Sequence, residues 1–513
     1  MKILIIVEFV INLILLLVYS MHMFQLNSYF YEKHMRWMKK NLRKVFTQII
    51  LVLIPGALIF VNNNIADIVA AVILGISIIY NLPKGKSKIS LKLTSRVKRM
   101  FATELVLSVV CILVLGFDKY ILYKVFGLNV IAHFICMIAN FINTPIEKGI
   151  KHWYINDAKK ILRDMPNLKV IGITGSYGKT SVKNFLYKTL SGKYEVLITP
   201  KNYNTTMGVV KTIRENLKPT HQIFVCEMGA TKVGDIKEIC DIVNPTVGII
   251  TSIGPQHMES FKTIENVIKT KFELADSVKK NGGTVFLNYN NEYIAKQKPD
   301  MDYKTYGVEK DDLDYNGFNL TSSSNGLTFK VLNEENKEVE FKTKLIGKHN
   351  IINIVGAIAC ANFMGVKIES LVSKVREIQG VEHRLQLIPH GNLTIIDDSY
   401  NSNPVSSKSA LDTLGEFEGT KIVVTPGLIE LGAKEEQYNY ELGEYAAGIC
   451  DYIYLVGENH SKPIREGVKS KKFDESKLFT VASPQEAMQK IGTLQINGKI
   501  TVLLENDLPD NYS

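Results

Sequence analysis

Residues 170–186 read VIGITGSYGKTSVKNFL, a pattern that predicts a phosphate-binding loop. A hydrophobic strand leads into Gly175, Gly178, Lys179 and Thr180, and an amphipathic helix follows. In such a loop the backbone N–H groups at the helix start face the phosphates, the lysine contacts the terminal phosphates, and the threonine hydroxyl binds Mg²⁺. The usual spacing is G-x-x-x-x-G-K-[ST], and here only two residues separate the glycines. The stretch therefore indicates a nucleotide-binding protein with a contracted loop.

From about residue 165, short β-branched runs alternate with helical stretches. The runs LKVIGITG, HQIFVCEMG, TVGIITSIG and GTVFLN precede residue 300, and four more follow residue 390. Strands that alternate with helices predict parallel sheets covered on both faces. The predicted fold class is α/β, with a central P-loop ATPase-like domain at residues 165–382 and a smaller Rossmann-like domain at residues 383–513.

Three polar residues outside the loop are candidates for the same site. Glu227 ends the apolar strand in CEMGA, and His257 lies after the next strand, in TSIGPQHMES. Because an open α/β sheet binds its ligand at the carboxyl ends of its strands, both side chains are expected near the loop. Lys271 lies in the helical stretch IKTKFEL. Taken singly, these residues also fit an exposed glutamate, a capping or core histidine, and an exposed helix lysine.

The first third of the chain is apolar and predicts a membrane domain at residues 1–148. Its apolar runs lie near residues 3–20, 46–62, 65–82, 102–117 and 127–143. Each run is about long enough to cross a ~30 Å hydrocarbon core, which predicts about five transmembrane helices. The alternative is a set of buried helical hairpins in a soluble protein.

The basic loops of this region predict an orientation. Loops rich in Lys and Arg follow the first and third apolar runs, and such loops stay on the cytoplasmic side. This predicts a multi-pass protein of the cell membrane, with its N-terminus outside and both α/β domains in the cytoplasm. Glu8 and the lack of a small-residue cleavage pattern argue against a signal peptide.

The charge distribution argues against a nucleic-acid partner. The net charge of +10 arises in residues 1–160, which carry 20 Lys and Arg against 7 Asp and Glu. The remaining chain has no basic surplus to pair with phosphate backbones. The six cysteines include no C-x-x-C pair, which favours reduced thiols over a zinc site or disulfide framework.

Taken in order, the motifs resemble the Mur ligase family, and most closely its MurF type, which adds D-alanyl-D-alanine to a UDP-muramyl tripeptide. They are GITGSYGKTS, NYNTTMG, EMGA, TSIGPQHME, KTKFEL, GKHNIINIVGAIA, EHRLQ and DDSYNSNPVS. The resemblance covers roughly residues 165–450. It implies an ATP-dependent amide ligase in which a substrate carboxylate attacks the γ-phosphate, an acyl phosphate forms, and an incoming amine displaces phosphate.

The resemblance also implies the roles of single residues, with ATP and two Mg²⁺ ions as cofactors. The implied catalytic residues are Lys179, Lys271, His257 and Arg384. The implied metal ligands are Thr180, Glu227, His257 and Lys271, the last as a carbamylated lysine. The implied nucleotide-binding residues are Gly175, Ser176, Gly178, Lys179, Thr180, Ser181, His349, Asn350, Asn353, Asp398, Asn401 and Asn403. Arg384 is implied to reach the phosphates from the domain junction, and Asp398 to bind the ribose.

Departures from the family pattern concern the substrate more than the reaction. Ligases of the MurF type begin with a soluble domain that binds the UDP-sugar, and apolar runs take its place here. The acceptor is therefore expected to be a small-molecule or lipid-linked peptidoglycan precursor. A polyglutamate-type product and a catalytically inactive nucleotide-binding scaffold are the alternatives. The sequence leaves the oligomeric state open.

Overall fold

The protein is described here by a computed structural model that covers residues 1–61, 63–82, 90–114, 121–400, 402–458 and 461–507. Contacts divide these residues into two compact units, Met1–Trp153 and Tyr154–Asp507. We call them the helical unit and the ligase unit, and each is described by itself.

The helical unit is a set of helices, most of them apolar. They are α1 (Lys2–Leu26), α2 (Tyr31–Lys40), α3 (Leu42–Ile59), α4 (Asn64–Asn81), α5 (Ser95–Val114), α6 (Ile121–Val130) and α7 (Ala132–Arg163), which continues into the ligase unit. Ile5, Phe9, Val52 and Leu74 form part of its buried core. Many other large apolar side chains on these helices face outward and are exposed.

The sequence predicts about five transmembrane helices, and the described residues contain three helices that meet the criteria for a span, or four with a bent pair. Three helices, α1, α3 and α4, are long and apolar enough to cross a membrane, by length and composition only. The pair α6 and α7 is bent by 76° and could form a fourth span if taken together. Helix α5 does not qualify, because its first half carries three basic residues and Glu104 follows them.

A chain of buried polar side chains runs through the helical unit. Asn81 Nδ2 donates to Asn12 Oδ1 at 3.0 Å, and Asn12 Nδ2 donates to Asn129 Oδ1 at 3.0 Å. Gln48 Nε2 donates to Asn81 Oδ1 at 2.9 Å, and Gln48 Oε1 lies 3.3 Å from His133 Nε2. We call these five residues the amide network. Because a buried amide without a partner is costly, the network favours one alignment of the helices.

Replacing Asn81 should destabilise the helical unit. Asn81→Ala removes the acceptor of the buried Gln48 amide. Leaving such a donor without a partner costs about 1–3 kcal/mol, so thermal unfolding of the purified chain should shift down by several degrees. Asn64→Ala, at the exposed start of the same helix, is the matched control. Equal unfolding temperatures for the two variants would contradict this role of the network.

The ligase unit begins with a nine-stranded sheet. Its strands are β1 (Lys169–Thr174), β2 (Val196–Ile198), β3 (Ile223–Glu227), β4 (Val247–Ile250), β5 (Thr284–Asn288), β6 (Tyr303–Val308), β7 (Tyr315–Ser323), β8 (Gly326–Leu332) and β9 (Glu338–Thr343). The order is β2-β3-β1-β4-β5-β6-β7-β8-β9, parallel from β2 to β7 and antiparallel from β7 to β9.

Helices cover both faces of this sheet. They are α8 (Lys179–Leu190), α9 (Thr206–Asn216), α10 (Asp235–Val243), α11 (Met258–Phe261), α12 (Ile264–Lys280), α13 (Glu292–Ala295), α14 (His349–Phe363) and α15 (Leu371–Arg376). Helices α8 and α14 contribute to one buried cluster, and α9, α10 and α12 contribute to another. The strands between them are buried on both faces, as expected for a parallel sheet.

A second sheet follows in the order β10-β11-β15-β12-β13-β14. Its strands are β10 (Gln386–His390), β11 (Leu393–Asp398), β12 (Thr420–Thr425), β13 (Tyr452–Val456), β14 (Leu478–Val481) and β15 (Ile500–Glu505). Its helices are α16 (Pro404–Gly415), α17 (Glu435–Ala447), α18 (Lys462–Ser470) and α19 (Pro484–Gly492). All neighbouring pairs are parallel except β10 with β11. The α/β prediction, with a helical N-terminal part and two sheet domains, is confirmed.

Candidate active site

The contracted loop joins β1 to α8 and requires glycine at two positions. Gly178 has a φ of 82° and caps the start of α8, and a Cβ there would lie 2.7 Å from Asn353 Oδ1. At Gly175, with a φ of 155°, a Cβ would lie 2.1 Å from Thr251 Oγ1. Any side chain would therefore push the loop away from its neighbours. The backbone N–H groups at the start of α8 are left to face an anion.

Lys179 lies across this loop. Its Nζ donates to the carbonyl oxygens of Gly175 at 2.7 Å and Ser176 at 3.2 Å. Burial of the ammonium lowers the pKa of Lys179 to about 8, Glu227 acts in the opposite direction, and Arg384 adds to the lowering. A phosphate placed on the loop would offer Lys179 a stronger partner than the two carbonyls, because charge-assisted hydrogen bonds are the stronger kind.

Glu227 is the buried acid at the carboxyl end of β3, next to the loop. Thr180 Oγ1 donates to its Oε1 at 3.2 Å, and Asn204 Nδ2 donates to the same oxygen at 2.9 Å. Lys183 Nζ forms an ion pair with Oε2 at 3.0 Å. Burial by itself raises the pKa of Glu227, but Lys183 and Lys179 outweigh it and hold that pKa below its usual value. The carboxylate is therefore ionised at neutral pH.

The residues around Glu227 fit one Mg²⁺ ion. A carboxylate and a hydroxyl are hard oxygen donors, and Mg²⁺ commonly takes one or two protein oxygens and completes its shell with phosphates and water. Within the described ranges, no three or more His, Cys, Asp or Glu side chains come together as a metal site. Thr180 and Glu227 would hold the ion, and the nucleotide would have to supply its other ligands.

Lys271 is buried on α12, and its side chain has no hydrogen bond or ion pair within the described residues. Burial lowers the pKa of Lys271 well below its usual value, and the charge of Lys179 adds to this, while Asp235 and Glu273 oppose it. Burial of this kind favours the neutral amine over the ammonium. A neutral amine is the form that reacts with CO₂, so this environment suits a carbamylated lysine.

His257 contacts the second sheet domain. Its Nδ1 lies 2.5 Å from Glu430 Oε2, and the Met258 N–H donates to the Glu430 carbonyl oxygen at 3.1 Å. His257 and Glu430 both have positive φ, 51° and 62°, and their positions are separated by 173 residues. With Nδ1 bound to Glu430, Nε2 is the ring atom left for the implied metal-ligand role.

Asn202 and Tyr400 form a second connection between the two sheet domains. The Arg384 guanidinium lies over the Tyr400 ring at 4.3 Å from its centroid and donates to the Tyr400 carbonyl oxygen at 2.9 Å. Asn202 Nδ2 donates to Tyr400 Oη at 3.0 Å. Together with Thr180 and Lys183, these residues border a cavity of about 700 Å³. The cavity opens beside the loop and is large enough for a small substrate.

Asp398, at the end of β11, is a buried acid whose Oδ1 accepts from the Leu385 N–H at 3.2 Å. Burial raises the pKa of Asp398 to about 7, and Glu505 adds to the rise while Arg384 opposes it. Glu505 is itself buried and accepts from Ser402, Ser407 and Thr425. Burial also raises the pKa of Glu505.

Stability should fall with rising pH because of Asp398. The folded state binds its proton up to about pH 7, whereas the unfolded chain releases it near pH 4, so folding loses up to about 4 kcal/mol between those values. Asp398→Asn keeps an acceptor for the Leu385 N–H and should flatten this part of the profile of unfolding temperature against pH. Asp241→Asn, at an exposed ion pair, is the control. An unchanged profile in Asp398→Asn would contradict the shifted pKa.

The remaining residues predicted to bind the nucleotide lie at several separate places in the ligase unit. His349 is half-buried at the start of α14 with Nδ1 2.9 Å from Ser409 Oγ, and desolvation lowers its pKa to about 4. The Asn350 amide donates to the Ile346 carbonyl, and Asn403 caps α16. Asn353 lies beside Gly178, Ser176 Oγ donates to the Gly254 carbonyl, and Ser181 is half-buried on α8. Asn401 lies outside the described residues.

Two residues of this site were not predicted from the sequence. Lys183 follows Lys179 by four positions and Thr180 by three, so all three share a face of α8, and this spacing is the signal that could have found it. Asn204 lies in the quoted motif NYNTTMG, without a role assigned. The ion pair and hydrogen bonds to Glu227 bring both residues to the site.

The chain is similar to known Mur ligases in sequence and in structure. The model of the Mur ligase middle domain matches residues 173–361, and that of the Mur ligase, glutamate ligase domain matches residues 383–504. UDP-N-acetylmuramoyl-tripeptide--D-alanyl-D-alanine ligase of Bacillus subtilis is 31% identical over 56% of this chain and 62% of its own length. The Escherichia coli enzyme of that name is 29% identical over 67% and 77%. Crystal structure I of MurF from Acinetobacter baumannii has 26% identity, a TM-score of 0.63, and coverage of 70% and 77%.

The family matches and the MurF relatives define a class of protein, the ATP-dependent ligases that form C–N bonds. The two family matches together cover more than half of the chain. The chain belongs to the Mur ligase family. It spans less than two thirds of the length of the Bacillus subtilis relative.

The predicted location, a multi-pass protein of the cell membrane with cytoplasmic catalytic domains, is wrong. The MurF relatives that share the ligase domains are soluble enzymes of the cytoplasm. The prediction used the length and apolar composition of the helices, and these are also the only criteria by which α1, α3 and α4 qualify as spans.

Proposed function

We propose that the protein is a ligase of the MurF type, which adds D-Ala-D-Ala or a similar amine to a muramyl-peptide precursor. The observation that carries this proposal is the group formed by Lys179, Thr180 and Glu227 beside the contracted loop. The relatives named above as D-alanyl-D-alanine ligases support the choice of amine. The alternative products, of polyglutamate type, have no feature of the described site in their favour.

The proposed reaction proceeds through an acyl phosphate. A carboxylate oxygen of the acceptor attacks the γ-phosphorus and ADP leaves; the amine then attacks the acyl carbon, loses a proton, and releases inorganic phosphate. Lys179 stabilises the charge on the phosphoryl group during transfer, since a fixed cation in a partly buried site acts strongly there. Arg384 approaches the same region from the other sheet and holds the phosphates when the cleft is closed.

Two Mg²⁺ ions would supply charge neutralisation and orient the transferring phosphoryl group. Thr180 and Glu227 would hold the first ion. His257, through Nε2, and a carbamylated Lys271 would hold the second. The burial of Lys271, which lowers its pKa and favours the neutral amine, supports this assignment, because carbamylation would turn a group that does not bind Mg²⁺ into an anionic oxygen ligand.

The cavity beside Thr180 is the proposed place where acceptor and amine meet. It borders the loop residue that would bind Mg²⁺ and the pair Arg384 and Tyr400 from the second sheet. A substrate carboxylate at its inner end would therefore lie next to the γ-phosphate, so that the two reacting groups are brought together.

The test is phosphate release by the purified full-length protein. ATP and D-Ala-D-Ala are supplied with either UDP-N-acetylmuramoyl-tripeptide or its lipid-linked counterpart, with Lys179→Ala as the blank. Release that requires the dipeptide and one acceptor supports the proposal and identifies the form of the acceptor. No release with either acceptor, despite binding of ATP, would contradict it in favour of a nucleotide-binding scaffold.

A further inference from the structure

Lys183 is a fully enclosed cation next to the proposed metal carboxylate. Its side chain is 1% exposed, on the second turn of α8. Its Nζ lies 3.0 Å from Glu227 Oε2 and donates to the Lys201 carbonyl oxygen at 2.6 Å. Lys201 has a φ of 45°, so its carbonyl is directed by an unusual backbone conformation. Lys183 thus connects α8, β3 and the loop after β2.

The pair formed by Lys183 and Glu227 balances charge in a site that will receive a divalent cation. Burying one charge alone is very costly, whereas a buried pair with further hydrogen bonds is tolerated. The other oxygen of Glu227 already accepts from Thr180 and Asn204. The carboxylate is therefore fixed in direction on both oxygens and neutralised before any metal arrives.

We propose that Lys183 is a positioning residue that aims the Glu227 carboxylate and keeps free Mg²⁺ from occupying it, so that the metal enters with the nucleotide. This inference rests on the proposed function, which assigns Mg²⁺ to Thr180 and Glu227. The ammonium competes with a lone Mg²⁺ for the same carboxylate. A nucleotide brings several negative charges with its Mg²⁺, which offsets the repulsion between the metal and the ammonium.

A position within the cavity wall does not by itself make Lys183 a substrate-binding residue. Two of its contacts go to Glu227 and Lys201, and its side chain is 1% exposed. Lys188, five residues further along α8, also borders the cavity and pairs with Glu377 at 2.8 Å, but its side chain is 37% exposed. Lys188 therefore serves as a matched control with equal charge at the surface.

The experiment measures binding of MgCl₂ to the full chain without nucleotide, by calorimetry and by the rise in unfolding temperature. Lys183→Met should unfold at a lower temperature than wild type, and should bind Mg²⁺ at least about tenfold more tightly, because a competing charge worth more than 1.4 kcal/mol is removed. Lys183→Arg should keep the weak Mg²⁺ affinity of wild type. Lys188→Met should match wild type in both measurements.

Further variants distinguish an effect of Lys183 on the Glu227 carboxylate from a general effect of Lys183 on folding. Lys183→Gln retains a donor for the Lys201 carbonyl and replaces Lys183→Met if that protein does not fold. Adding Glu227→Gln to either variant should abolish the gained Mg²⁺ affinity, because the carboxylate is then absent. A lower unfolding temperature with unchanged Mg²⁺ affinity would overturn the inference. Failure of every protein, including wild type, to bind Mg²⁺ with ADP would instead overturn the proposed function.

Discussion

Lys179→Ala is expected to lower ATP-dependent phosphate release by about a thousandfold. Its ammonium is the cation held over the loop by the Gly175 and Ser176 carbonyls, and one fixed donor at a site of developing charge is worth about 10²–10³ in rate. The measurement is kcat with saturating ATP, dipeptide and acceptor. The unfolding temperature should stay close to that of wild type, since the carbonyls that Lys179 contacts can accept from water.

Lys279→Ala is the control for that result. It removes an exposed lysine from α12, and its ion pair with Asp300 is of the surface type that contributes little. Phosphate release should therefore remain within about twofold of wild type. If Lys179→Ala and Lys279→Ala had equal rates, the contracted loop would not be the phosphate site.

Lys271→Ala is expected to lower phosphate release by at least about a hundredfold, the scale of losses at metal-site residues. Removing the buried side chain leaves space on α12, and a short carboxylate such as acetate can enter that space and supply the missing oxygen ligand. Acetate should therefore restore part of the rate. The measurement is kcat at increasing acetate concentration, at constant ionic strength.

Lys271→Met tests whether the rescue is specific. Methionine fills most of the volume of the lysine and leaves no room for acetate, so this variant should be equally slow and should not respond. Wild type should lose rate when bicarbonate and CO₂ are removed and regain it when they are restored. Rescue of both variants, or a wild-type rate independent of bicarbonate, would contradict carbamylation of Lys271.

The local sequence predicted the parallel strands at the core of the central domain. It did not predict the antiparallel strands β8 and β9. Strands β1, β3, β4 and β5 are apolar on both faces, so each is marked in the sequence by a continuous apolar run with β-branched residues. Strand β8 buries only alternate residues, Leu327, Phe329 and Val331, and no continuous apolar run marks it. Its apolar and polar residues alternate, which is the pattern of a half-buried strand and differs from the continuous apolar runs on which the prediction rested.

The residues of the candidate site also fall into two groups, those that the sequence predicted and those that only the structure identifies. The loop and Glu227 were found because each follows a strand end, where the topology of an α/β sheet places ligands. The contact of His257 with Glu430, and the contact of Asn202 with Tyr400, join positions more than 170 residues apart. Local sequence carries no information on such pairings. The role of Lys183 likewise could be inferred only from the structure, in which its Nζ lies 3.0 Å from Glu227 Oε2 and both side chains are buried.

The outermost strands of the two sheets affect how the chain behaves when it is concentrated or newly made. Strand β2 has three residues, β14 has four, β10 contains Pro389, and β9 carries Glu338, Glu340 and Lys342. Short length, proline and charge are the features by which natural sheets prevent a neighbouring molecule from adding a strand. The ligase unit therefore offers poor templates for aggregation at all four sheet edges.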